Sequence, residues 1–221
     1  MKNTIFLLDY DGTLAETRPA ILSCLALAFE AVGQRVPSEK ELKDQLARGG
    51  TLATLFAAFV PGSSVDEERA FEAAYRARYL TEDKEKTVLF AGVIPVLEAL
   101  KAKKVEMTVL SNKHGPTVLA SIERFGLGHF FNGVVGSEAG QPVKPDTRVM
   151  TERVRLIYPH AALEQFVMVG DTTADLKFAQ NVGMASCWAR YGHGAAEACL
   201  EQKPSYIMDD VSGLLDIPVE F

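Results

Sequence analysis

Several features that mark common function classes are missing from this chain. No apolar stretch approaches the ~18 residues of a membrane span, and the N-terminal run Ile5-Phe6-Leu7-Leu8 stops at Asp9, too short for the core of a signal peptide. Cysteine is scarce: Cys24, Cys187 and Cys199 are scattered, odd in number and form no Cys-x-x-Cys. That argues against a disulfide framework or zinc site, and a reducing, cytoplasmic location is expected. An excess of positive charge is also absent. The net charge of −6 gives no global support to a nucleic-acid partner. Neither Gly-x-Gly-x-x-Gly nor Gly-Lys-Ser/Thr occurs, which disfavours a dinucleotide dehydrogenase or a P-loop kinase. His114, His129, His160 and His193 lack metal-ligand spacing and are read as surface or loop residues. There is no internal repeat or low-complexity segment.

What remains is an ordinary soluble composition of 221 residues, 48% apolar and 24% charged, enough for one large domain or one domain with an insert. Ile5–Leu8 reads as a buried strand. Helical spacing then takes over: Pro19 suits a first turn, and Ile21, Leu22, Leu25, Phe29 and Val32 repeat at three and four. Ser38 with Glu41, and Ser64 with Glu67, have capping-box spacing. The stripe Phe71, Tyr75, Tyr79 is expected in the core of this helical block, which covers residues 15–87 and shows no strand signal. From Val88 onward strands alternate with helices. Candidate strands lie at Glu106–Leu110, Val134–Gly136, Phe166–Gly170, Met184–Trp188 and Tyr206–Met208. Alternation of this kind implies a parallel sheet with right-handed crossovers. The expected architecture is an α/β, Rossmann-like core (1–14 and 88–221) with helices on both faces and an inserted all-α cap (15–87).

Chemistry gathers at strand ends. Asp9 and Asp11 follow the first strand, Ser111 and Asn112 the second, and Asp171 the strand Phe166–Gly170; Lys144 lies in a loop that can reach the same edge. A parallel sheet brings strand carboxyl ends together, where ligands bind. Asp-x-Asp-Gly is equally a turn signal, so the hexapeptide Asp9-Tyr10-Asp11-Gly12-Thr13-Leu14 does not decide alone. Asp9 and Asp171 at ~4 Å would repel by roughly 4 kcal/mol at an effective dielectric of ~20, so one is protonated or a cation lies between them. Carboxylate oxygens without a histidine cluster favour Mg2+ over zinc, and a metal with a lysine and a serine suits a phosphoryl group.

These four segments, with Lys144-Pro145 third and Gly170-Asp171-Thr172-Thr173-Ala174-Asp175 fourth, resemble in order the motifs of the haloacid dehalogenase superfamily, and most closely its phosphoglycolate-phosphatase-like members. The resemblance spans essentially the whole chain and implies a magnesium-dependent phosphatase. Asp9 would be the nucleophile and Asp11 the acid and base; Ser111 and Lys144 would bind phosphoryl oxygens. Asp9, Asp171 and the carbonyl of Asp11 would hold the metal, and Asp175 would orient the metal's waters or Lys144. Dehalogenases of the superfamily lack an aspartate equivalent to Asp11, which favours ester cleavage here.

Other residues carry two readings. Arg48 and Gly49, in Arg48-Gly49-Gly50-Thr51, are candidates for a substrate loop of the cap or for a plain helix–helix turn. Asn112 and Lys113 lie at an expected helix start, a natural anion site, with the Lys113 side chain expected in solvent. Thr13 and Thr172 are candidates for phosphate contact or capping. Tyr10 is expected to pack. The partner is a small phosphorylated metabolite, with neither nucleic acid nor membrane, and the state is monomer or homodimer. A phosphomutase of the β-phosphoglucomutase type and a non-catalytic binding module are the competing functions.

Overall fold

The computed structural model describes residues 3–48 and 51–219. Its centre is a six-stranded parallel sheet. In chain order the elements begin with β1 (Ile5–Leu8) and β2 (Ala15–Glu16). Four helices follow: α1 (Arg18–Ala31), α2 (Glu39–Leu46), α3 (Leu52–Phe59) and α4 (Val65–Lys86). Next come β3 (Val88–Leu89), α5 (Val93–Ala102), β4 (Glu106–His114), α6 (Gly115–Arg124) and β5 (Gly133–Ser137). A π-helical turn (Met150–Val154) runs into α7 (Arg155–Ile157), followed by β6 (Phe166–Gly170), α8 (Thr173–Val182), β7 (Ala185–Ala189), α9 (Ala196–Glu201) and β8 (Tyr206–Met208).

The sheet order β5-β4-β1-β6-β7-β8 sets β1 between β4 and β6. Leu8 lies level with Val109 on one side and Val169 on the other. Strand alternation then sorts the core. Phe6 and Leu8 pack with Val96, Leu97, Val118 and Ile122 of α5 and α6. Ile5 and Leu7 pack on the opposite face with Val154 and with Phe178 and Ala179 of α8. Helices therefore cover both faces, as the alternating pattern predicts.

Helices α1–α4 bury their own cluster. Phe29 meets Phe71 at 4.8 Å between ring centroids, and Phe56 stacks on Phe71 at 4.5 Å. The capping boxes expected at Ser38 and Ser64 form, and a third forms at Thr51 with Thr54. One expectation fails. Residues 15–87 are not free of strand, because Ala15–Glu16 pairs antiparallel with Val88–Leu89 where the chain enters and leaves the helical block. Two residues are too few to show a period of two, and the pairing joins segments far apart in the chain. β4 continues through Ser111-Asn112-Lys113 to His114 beyond a register shift, so the expected helix begins just after Lys113, with His114 as the N-cap of α6. Among the described residues no helix is long and apolar enough to cross a membrane.

Candidate active site

Asp9 is the first residue beyond β1, and its N–H donates to Val169 O at 2.8 Å, which keeps it in line with the neighbouring strand. Its carboxylate is buried. Lys144 reaches it from the loop after β5. The ammonium spends its three donors on Asp9 Oδ1 (3.0 Å), Asp175 Oδ1 (2.6 Å) and Leu110 O (2.5 Å). Asn112 holds that loop: its Oδ1 accepts Lys144 N–H at 2.9 Å and its Nδ2 donates to Lys144 O at 2.8 Å. The side chain expected to meet substrate is thus engaged in positioning the lysine.

Asp171 follows β6 and is fully buried. Its Oδ2 accepts the N–H of His193 at 2.6 Å, while Oδ1 has no partner among the described residues. Asp175, in the first turn of α8, accepts Thr172 N–H (3.0 Å) and Oγ1 (2.8 Å) on Oδ2, so Thr172 is a cap. Carboxylate oxygens of Asp9, Asp171 and Asp175 lie within 4.8 Å of one another.

Burial pushes Asp9 up from 3.8 to about 7; Asp175 and Asp11 add to the rise and Lys144 opposes it. Burial raises Asp171 well above the usual carboxylate range, with Asp9 and Asp175 adding repulsion. Lys144 loses ground to burial, yet Asp175 and Asp9 hold it above its ordinary value, so it is charged. One ammonium thus faces three buried carboxylates, and an acceptor on Asp171 is orphaned. A buried unsatisfied acceptor costs roughly 1–3 kcal/mol, more when charged. The set of hard oxygens fits a divalent cation.

The first motif makes a tight turn, with the N–H groups of Thr13, Leu14 and Ala15 all aimed at Tyr10 O. Gly12 has φ +75°, and a Cβ there would lie 2.1 Å from Asp171 Oδ2, so only glycine allows the close approach. Tyr10 packs as expected, its hydroxyl 2.6 Å from Ser121 Oγ. Thr13 is fully buried behind the cavity wall, and among the described residues its Oγ1 has no hydrogen-bond partner. Ser111 does line it, as do Asp9, Asp11 and Lys144.

Lys113 is not in solvent. Its Nζ donates to Asp11 Oδ1 at 2.7 Å and to the Tyr79 hydroxyl at 2.5 Å, and stands 4.1 Å from the Tyr79 ring centroid. Burial lowers its proton affinity, but Asp11, Tyr75 and Asp83 together more than compensate. Arg48 is exposed and off the cavity wall, although Gln45, Leu46, Thr51 and Leu52 around it line the cavity. Gly49 lies outside the described residues. His193 is not a free loop residue either. Besides binding Asp171 through its backbone, its Nε2 meets Glu16 Oε1 at 2.8 Å. The readable signal for this loop was Gly192-His193-Gly194 just beyond β7, a pair of glycines at a strand's carboxyl end.

Comparison with known proteins adds an independent line. The family model described as haloacid dehalogenase-like hydrolase matches residues 6–189. The chain belongs to this family. It is therefore an enzyme of the hydrolase class. As a haloacid dehalogenase-like hydrolase it is 27% identical over 216 residues to phosphoglycolate phosphatase of Vibrio cholerae, covering 95% of this chain and 94% of that one. It is 26% identical over 217 residues to pyrophosphatase PpaX of Listeria monocytogenes, covering 98% and 96%. A haloacid dehalogenase-like family hydrolase from Streptococcus pneumoniae shares the fold with a TM-score of 0.83 at 25% identity, over 97% of each chain. CbbY of Rhodobacter sphaeroides, solved in complex with xylulose-(1,5)bisphosphate, matches in fold with a TM-score of 0.81 at 19% identity, over 96% of each chain.

Proposed function

We propose that the chain is a magnesium-dependent phosphatase that hydrolyses a small phosphate monoester through an aspartyl-phosphate on Asp9. The observation that carries the reading is the buried cluster of Asp9, Asp171 and Asp175 with Lys144 in it and one Asp171 oxygen unpartnered. Phosphatase names among the relatives support the reaction class. In this reading residues 15–87 act as a cap over a core of 1–14 and 88–221.

Asp9, Asp171 and the carbonyl of Asp11 would hold magnesium, which when bound would supply positive charge to the phosphoryl oxygens and relieve the repulsion among the carboxylates. An oxygen of Asp9 attacks phosphorus, and the bond from phosphorus to the leaving oxygen breaks. Asp11, two residues along the same turn and protonated at this stage, gives that oxygen its proton and becomes a carboxylate beside Lys113. Asp11 then takes a proton from water as the water oxygen attacks the aspartyl-phosphate, which frees phosphate and restores Asp9. The Ser111 hydroxyl holds a phosphoryl oxygen, and Lys144 holds another with the donor that it turns from Asp9, while Asn112 and Asp175 keep Lys144 in place.

The test is phosphate release from a panel of esters, with and without magnesium, by the wild type and by Asp9→Asn. Magnesium-dependent release that falls ~10³-fold or more in the variant is expected. Retained turnover by Asp9→Asn would overturn the nucleophile assignment. Isomerised sugar phosphate without free phosphate would make the enzyme a mutase, and inert binding of every ester would make it a binding module.

A further inference from the structure

The cavity above the carboxylates has a volume of about 450 Å³. That lies in the range that holds drug-sized ligands, ~300–1,000 Å³, far beyond what a phosphoryl group and a two-carbon acid fill. Away from the aspartates the helical block contributes Ile21, Leu46, Leu52, Leu55 and Tyr75 to its wall, with Gln45, Thr51, Glu72 and Arg76 beside them. Tyr75 lines the space and stacks on Tyr79 at 5.4 Å between centroids.

The lysines and arginine on the wall are already paired. Lys144 carries Asp9 and Asp175. Lys113 carries Asp11 at 2.7 Å. Arg76 carries Glu72, one helical turn away on α4, also at 2.7 Å. Glu138 also lines the cavity, bound to Arg153 at 2.6 Å. Burial lowers the proton affinity of His114, and nearby Arg76 lowers it further, so the imidazole is neutral at neutral pH. Among the described residues, then, every lysine and arginine on the wall already has a carboxylate. A second anionic group on a substrate would meet a cation that already has a carboxylate, a neutral polar side chain such as Gln45 or Thr51, or leucine, and none of these offers it a free positive charge.

Building on the phosphatase reading, we propose that this site takes phosphate monoesters whose leaving group is an apolar or aromatic body with no second anionic group, in preference to a small dianionic acid such as phosphoglycolate. The phosphoryl end is bound by the polar cluster. The leaving group is selected by the apolar wall of the cap, since burying a ring-sized group contributes about one order of magnitude or more in binding.

The experiment compares kcat/KM for benzyl phosphate, hexyl phosphate and phosphoglycolate, esters whose leaving alkoxides are of comparable basicity, with magnesium present. The expected result is an advantage of tenfold or more for benzyl and hexyl phosphate. Equal values, or a preference for phosphoglycolate, would overturn the proposal while leaving the phosphatase reading intact. Absence of release from every ester would remove the phosphatase reading, and the proposal with it. Leu46→Arg supplies a second arm. It sets an unpaired cation on the wall at the C-terminal end of α2, where the helix dipole tolerates it. The variant is expected to move the ratio at least tenfold toward phosphoglycolate, and an unmoved ratio in folded protein would show that this wall does not select the leaving group. If the variant fails to fold, the wild-type ratio still decides.

Discussion

Asp171 is fixed almost entirely by backbone. His193 N–H holds Oδ2, and Trp188 Nε1 donates to its carbonyl at 3.1 Å. Gly192 closes the packing: a Cβ there would stand 2.3 Å from Asp171 Cβ and 2.4 Å from Gly12 O. Neither contact is the far end of a flexible chain, so something in the metal cradle has to shift. Gly192→Ala is expected to lower kcat/KM at least tenfold and to raise the magnesium concentration for half-maximal activity. A variant with wild-type magnesium dependence would show that Asp171 does not need this loop. Lys113 illustrates the same scale from the other side of the site. Its position against both Asp11 and Tyr79 ties the expected acid and base to the helical block through a single ammonium.

At the scale of elements, the end of α4 is anchored by Asp83. Its carboxylate accepts from Thr87 Oγ1 (2.8 Å), Ser121 Oγ (3.0 Å) and Arg124 (2.9 Å), and Ser121 in turn meets Tyr10. One buried carboxylate therefore links α4, the β3 entrance, α6 and the first motif. Its removal leaves Arg124, about a quarter exposed, without its charge partner. Asp83→Ala is expected to destabilise the protein by about 2 kcal/mol, below the figure for a fully buried pair because Arg124 is partly solvated. Breaking the exposed Lys40–Asp44 pair by Asp44→Ala should give no measurable change. Denaturant melts of the two variants check this, and equal effects would remove Asp83 as an anchor.

At the scale of the whole molecule, β4, β1 and β6 run side by side and deliver their polar ends to one edge. The result is a concentration of negative charge that the chain balances only in part. The pH dependence follows. Asp9 rises from 3.8 in the unfolded chain to about 7 in the fold, and Asp171 is also raised. A carboxyl raised in the folded state contributes stability that is complete below about pH 4 and is lost as pH climbs through about 7. Lys144 is raised as well, which matters only at alkaline pH. Metal competes with those protons. The rise in Tm on adding magnesium to chelator-treated protein is therefore expected to be larger at pH 8 than at pH 5. A shift of the same size at both would show that these carboxylates do not hold the metal.

Local chemistry was legible in the sequence. The apolar run before Asp9, the two-residue spacing from Asp9 to Asp11 and the Ser38 and Ser64 caps involve residues within a few positions of one another, where chain geometry dictates who meets whom. Alternation of strand and helix likewise determined the parallel sheet, and with it the common edge for Asp9, Ser111 and Asp171. What the side chains do at that edge was decided by tertiary structure. Lys113 is buried because Tyr79, 34 residues earlier, comes down on it. Asn112 turns to the lysine loop because Lys144 N and O stand within its reach across 32 residues. Gly12 is fixed as glycine because Asp171, 159 residues later, stands where its Cβ would be. Composition and spacing carry no information on such encounters, since each depends on which distant surface fills the space beside a residue once the helical block and the sheet have closed on each other.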